Sequence, residues 1–150
     1  MARIMVVGGG PAGLAAALQL AANHQEVILV EKEETLGGSP RIYNCKAVDE
    51  CRRCGACLVA ERVYQVRSNQ LIQVMTGCHI SAVRRNQSAF QVDLGGASGA
   101  ARIDVSGIIL ATGFELFDPG LRGEMGYRRL ERVVTARDLE EKLMNAPGDW

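Results

Sequence analysis

The sequence predicts an α/β fold, a parallel sheet with helices and a three-stranded antiparallel meander, and three observations carry that expectation. A short apolar run, Ile4-Met-Val-Val7, leads through glycines into an alanine- and leucine-rich stretch and then a second apolar run, Val27 to Val30, which together make a βαβ unit. From Ile80 to Val105 the pattern changes to short alternating segments separated by turn residues. The chain then returns to a buried-strand pattern at Gly107-Ile-Ile-Leu-Ala111. With 150 residues there is material for one core, so residues 1–150 are expected to form one domain with a cysteine-rich insert at about 39–58.

The opening turn carries glycines at 8, 10 and 13, and each has a physical use. Gly8 allows a tight turn, Gly10 lets backbone approach a pyrophosphate, and Gly13 lets the helix pack closely on the strand. Phosphates would rest on the N–H groups at the helix N-terminus, where the dipole favours negative charge. Glu31 follows Gly13 by 18 residues, where a carboxylate can accept from both hydroxyls of a ribose and disfavours a 2′-phosphate. An isolated GxGxxG is a weak signal, but here a strand precedes it, a helix follows and an acid ends the next strand. The expectation is a Rossmann-like FAD/NAD(P)-binding fold.

The 17 basic and 17 acidic residues balance, which argues against nucleic acid or an anionic membrane as the main partner. No apolar run reaches membrane-spanning length, and MARIMVV reads as a strand rather than a signal peptide, so the cytoplasm is expected. Five cysteines is an odd count, and four lie within residues 45–57, too clustered to staple a fold of this size.

In chain order, Pro11 suits the first helical position and residues 12–22 form an apolar helix ending near Asn23. His24 is turn polarity. The loop after Lys32 carries Gly37 and Gly38, which would let backbone pass close to a bound ring system. An acid, a short spacer and then Gly-Gly is what flavin-binding domains show rather than purely NAD-binding ones. Residues 58–67 have helical spacing, and 71–76 read as the third parallel strand. Cys78 is expected to be a small semi-buried residue and His79 a polar residue at a strand edge. The meander strands are 80–84, 89–94 and 101–105, with breaks at 86–88 and 95–99. The strand ending Ala111-Thr112-Gly113 should lie beside the first, so that these residues pack next to the glycine turn. Residues 116–129 are irregular, and 135–144 form an amphipathic helix capped by Thr135.

Cys45, Cys51, Cys54 and Cys57 are separated by five, two and two residues. Cys-x2-Cys-x2-Cys is the run by which short loops wrap three corners of an iron-sulfur cubane, and Cys45 is the obvious fourth ligand. Gly55 helps the backbone turn, and Lys46, Arg52 and Arg53 offset thiolate charge. Zinc is the main rival, although structural zinc sites usually space their ligands as two distant pairs. A redox dithiol would need only two of the four.

Taken together, VVGGGPAGLAAALQLA, VEKEETLGG, the cysteine run with CGACLVAERVYQV, GIILATGFELFDP and GYRRLERVVTARDLEEKLM resemble the FAD-binding region of the iron-sulfur flavoproteins of heterodisulfide reductases. The cysteine segment and the tail carry the specificity, because the glycine and ATG motifs are shared by many flavoproteins. The resemblance implies FAD held by Gly8, Gly10, Pro11, Ala12, Gly13, Glu31, Lys32, Gly38, Ala111, Thr112 and Gly113. It also implies a 4Fe-4S cluster on Cys45, Cys51, Cys54 and Cys57, and an electron-transfer role with no acid–base catalytic residue. The implied partners are other redox subunits, of iron-sulfur or of hydrogenase or dehydrogenase type. The sequence lacks the family's ferredoxin-like insert and stops where relatives continue, so a fragment, or a site completed by a partner or a second copy, is expected. Two other functions remain open: a flavin-dependent disulfide reductase using a cysteine dithiol, and a zinc-bound structural or interaction domain.

Overall fold

A computed structural model of the chain describes residues 3–45, 50–51, 55–86, 88–96 and 99–145. The chain forms two compact units, residues 1–40 with 57–113, and residues 41–56 with 114–150.

The first unit contains β1 (Arg3–Val7), α1 (Pro11–Ala22), β2 (Glu26–Val30), α2 (Leu58–Ser68), β3 (Ile72–Met75), β4 (Cys78–Asn86), β5 (Ala89–Gly96), β6 (Ala101–Val105) and β7 (Gly107–Leu110). β3, β2, β1 and β7 form a parallel sheet in that order, and β4, β5 and β6 form an antiparallel one. The expected α/β architecture, with its parallel sheet and meander, is therefore the observed one.

Side chains on a strand alternate between faces, and that alternation divides the core. Val6, Val27 and Leu29 face α1 and α2, where they pack with Leu14, Ala17, Ala21 and Val66. Met5, Ile28 and Val30 face the meander, packing with Val92, Leu94 and Val105. Helix α1 buries Gly13, Leu14, Ala17 and Ala21, a stripe at helical spacing made largely of small side chains that let the helix lie close to the sheet. The helix stops at Asn23, and His24 turns the chain with a left-handed φ of 58°.

The meander strands are longer than the alternation suggested. β4 begins at Cys78, which pairs with Gly96, so Gly95 and Gly96 belong to β5 rather than to a turn. A side chain at Gly96 would run into the main-chain carbonyl of Gly77. These glycines serve close strand approach as well as turning. Cys78 is buried and its thiol lies 3.3 Å from the carbonyl of Thr76, while His79 is exposed on the same strand.

In the second unit an irregular run from Phe114 leads through single 3-10 turns at Pro119–Leu121 and Gly123–Met125 to α3 (Ala136–Asn145). Thr135 caps α3 as expected. Its Oγ1 accepts from the N–H of Asp138 at 3.0 Å, and Asp138 Oδ2 accepts from the N–H of Thr135 at 2.8 Å. From the earlier segment of this unit, Asn44 is held to Glu140 by two hydrogen bonds.

Candidate functional site

The expected FAD-binding residues all lie in the first unit, at the C-terminal ends of β1, β2 and β7. This is the end of an open parallel sheet at which ligands characteristically bind. The N–H of Gly8 donates to the carbonyl of Val30 at 2.8 Å and that of Ala111 donates to Val7 at 2.8 Å, so parallel pairing continues to the edge of the turn. There the glycines are required by close contact. A Cβ on Gly8, whose φ is 107°, would collide with the carbonyl of Ala111, and one on Gly13 would collide with the carbonyl of Gly8. Ala111 thus sits against the glycine turn, the placement its sequence pattern predicts, while Thr112 and Gly113 beyond it are exposed.

Gly10 differs from both. Nothing lies within 4 Å of where its Cβ would be, and its φ of −77° suits any residue. Within the protein alone, glycine is not needed here. It marks open space at the start of α1, whose first turn has no side-chain cap. Pro11 has no N–H to offer, and the N–H groups of Ala12 and Gly13 belong to the first turn, which lacks acceptors within its own helix. No buried side-chain nitrogen or oxygen among the described residues lacks a partner. What the cradle offers is therefore main-chain dipole and space rather than an orphaned side chain.

Glu31 immediately follows β2 and is 8% exposed, the one charged residue among the buried described side chains. Its Oε2 accepts from the N–H of Gly9 at 2.6 Å and its Oε1 from the N–H of Glu33 at 2.9 Å. The carboxylate thereby ties the glycine turn to the loop beyond β2. Each carboxylate oxygen has a second acceptor position that these two contacts do not use. Lys32, next to it, is exposed.

Two features escaped the sequence analysis. Gly9 is the buried hub of the turn: its N–H meets Glu31, its carbonyl accepts from Gly37 at 2.8 Å, and a Cβ there would lie 2.5 Å from Leu36 Cδ2. Leu36, 3% exposed, clamps the loop onto the turn. The presence of three consecutive glycines was the available signal. Gly38, with φ of 61°, packs so that its Cβ would be 3.0 Å from the Cα of Gly10. Its close approach is thus to the opening turn itself.

The expected metal ligands are distributed differently. Cys45 and Cys51 fall in the second unit and Cys57, immediately before α2, in the first, and all three are exposed. Cys54 lies outside the described residues, as do Lys46, Arg52 and Arg53. Among the described residues no group of three or more histidine, cysteine, aspartate or glutamate side chains is placed to hold a metal ion. Four thiols are a donor set that suits an iron-sulfur cluster, and the three described ones are exposed.

Comparison with known proteins decides the family, since the model of the pyridine nucleotide-disulphide oxidoreductases matches residues 2–146. The chain belongs to that family. Curated relatives include a ferredoxin/F(420)H(2)-dependent CoB-CoM heterodisulfide reductase subunit of Methanosarcina acetivorans, 32% identical over 89 residues that make up 59% of this chain and 11% of that protein. A CoB–CoM heterodisulfide reductase iron-sulfur subunit of Methanopyrus kandleri is 36% identical over 81 residues, 54% of this chain and 12% of that protein. The chain thus spans about a tenth of the length of these relatives. The resemblance to their FAD-binding region is borne out.

Solved structures agree on the fold. Thioredoxin reductase from Lactococcus lactis superposes with a TM-score of 0.61 at 17% identity, covering 79% of this chain and 37% of that one. L-proline dehydrogenase from P. horikoshii gives 0.58 at 22% identity, covering 79% and 25%. No helix among the described residues is long and apolar enough to cross a membrane.

Proposed function

We propose that this chain is the flavin-binding part of an electron-transfer flavoprotein of the heterodisulfide reductase type, with a 4Fe-4S cluster on Cys45, Cys51, Cys54 and Cys57 as its one-electron relay. The observation that carries the flavin half is the open, uncapped first turn of α1 beside the buried carboxylate of Glu31. In this reading Gly10, Pro11, Ala12 and Gly13 border the pyrophosphate, with N–H donors from Ala12 and Gly13. Glu31 accepts from the ribose hydroxyls, and Lys32 lies beside it. Gly8 and Gly38 shape the turn, and Ala111, Thr112 and Gly113 border the cofactor from β7. When bound, a flavin exchanges electrons with both two-electron and one-electron partners, whereas a cluster takes one electron at a time.

The cluster half is supported by the cysteine spacing and the relationship to heterodisulfide reductase subunits. The cysteine segment at 39–58 is then the cluster-binding insert of the flavin-binding domain. Partners would be other redox subunits, and the compartment the cytoplasm. The test is anaerobic purification after reconstitution with FAD, iron and sulfide. Bound flavin with about four irons per chain is expected. Flavin without iron would replace this reading with a dithiol disulfide reductase, and a colourless zinc protein would replace it with a structural domain.

A further inference from the structure

Asn44 immediately precedes Cys45 and is gripped twice by one residue of α3. Its main-chain N–H donates to Glu140 Oε2 at 3.0 Å and its side-chain Nδ2 donates to the carbonyl of Glu140 at 2.8 Å. Both residues are half-buried and belong to the second unit. A grip on N–H and side chain together fixes the position of Asn44 and the direction in which the chain enters Cys45. The grip comes from a helix whose first turn is closed by Thr135 and Asp138.

The spacing of the cysteines gives that grip a purpose. Cys51, Cys54 and Cys57 are separated by two residues each, so placing one of them nearly places the next. Cys45 stands five residues before Cys51 and has no such constraint from its neighbours in sequence. A ligand on a longer spacer loses more conformational freedom when it binds, unless something else has already ordered it. We propose that Glu140 is a positioning residue for Cys45, acting through Asn44 to order that thiol for metal ligation. This rests on the cluster-binding reading of the cysteine run.

The test uses the full chain with Glu140→Ala, Glu140→Gln and Asn44→Ala, each reconstituted anaerobically with FAD, iron and sulfide. Hydrogen exchange at the Asn44 amide reports the grip. Iron content and the electron paramagnetic resonance of the reduced protein report its effect on the cluster. In Glu140→Ala the Asn44 amide is expected to exchange about fivefold faster, the change expected for one lost hydrogen bond, with iron reduced and flavin retained. Glu140→Gln keeps an acceptor oxygen and should restore both readouts. Asn44→Ala removes the side-chain bond to the Glu140 carbonyl and keeps the main-chain N–H, and should fall between wild type and Glu140→Ala, which keeps the test usable if the latter does not fold. Wild-type iron content and spectrum in Glu140→Ala would overturn the positioning role alone. A wild-type chain that takes up no iron would overturn the cluster reading and this role with it.

Discussion

The main-chain N–H of Gly9 donates to Oε2 of Glu31 at 2.6 Å, joining the first turn of the chain to the end of its second strand. The same carboxylate receives the N–H of Glu33, so one side chain satisfies two main-chain donors at the rim of the cradle. A residue expected to recognise a ribose is therefore also a structural brace.

That double duty sets the outcome of replacing it. Glu31→Ala leaves the Gly9 N–H without its acceptor in a buried turn, which is expected to cost about 1–3 kcal/mol. Urea unfolding of the flavin-free protein measures this. Glu31→Gln keeps one acceptor oxygen and should lose less stability, with FAD binding weakened in both variants. Unchanged stability in Glu31→Ala would show that the brace contributes nothing.

Gly10 and Gly13 should separate packing from ligand binding. Gly13→Ala drives a methyl group into the carbonyl of Gly8 and is expected to destabilise by about 1–3 kcal/mol or more, with or without flavin. Gly10→Ala meets open space and should leave the flavin-free protein within about 0.5 kcal/mol of wild type. Its affinity for FAD should nevertheless fall by about tenfold or more, because the methyl group occupies the approach to the pyrophosphate. Flavin titration checks it, and unchanged affinity would remove Gly10 from the cofactor site.

The meander carries a surface charge cluster with a defined pH signature. Arg102, bonded to Asp93 at 2.6 Å, and then Arg84 hold the Asp93 carboxyl down from 3.8 to about 2. A carboxylate with a depressed pKa contributes stability that is complete above its unfolded value and is lost as pH falls toward the folded one. Asp93→Asn should lower the urea midpoint near neutral pH, and the gap to wild type should close as pH falls from about 4 to about 2. Because both arginines are largely exposed, added salt should shrink the gap as well.

The start of α3 should respond to a single hydroxyl. Thr135→Ala removes the acceptor for the Asp138 N–H and is expected to cost about 1 kcal/mol, whereas Thr135→Ser should keep most of it. Hydrogen exchange in α3 reads the change directly. The hydrogen bonds from Thr135 also hold the Asp138 carboxyl below its ordinary range, so the serine variant should preserve that shift and the alanine variant reduce it.

Most of the first unit was legible because its signals are local. Ile4 to Val7, Val27 to Val30 and Gly107 to Leu110 are apolar runs, and all three are strands of the parallel sheet. Thr135 announces a cap because the bond it makes reaches only three residues. What escaped depends on distant partners. The place of Gly9 depends on Leu36 and Glu31, and Gly96, expected in a turn, pairs with Cys78 and packs against the carbonyl of Gly77. The clasp of Asn44 by Glu140 spans 96 residues, and neither residue's surroundings in sequence mark it. Among the residues expected to contact flavin, Gly38 has a packing reason that lay in its approach to Gly10, distant in sequence.

The contact between Gly8 and Ala111 joins positions 103 apart, across the pairing of β1 with β7. Such a closure is slow, because an extensive loop must be brought together before the strands reward it. During synthesis Gly8 emerges before β7, so the rim is finished only once β7 has been made. On the proposed reading, nucleotide loading follows the arrival of β7, and pulse-labelled nascent chains that have not yet exposed β7 should capture no flavin.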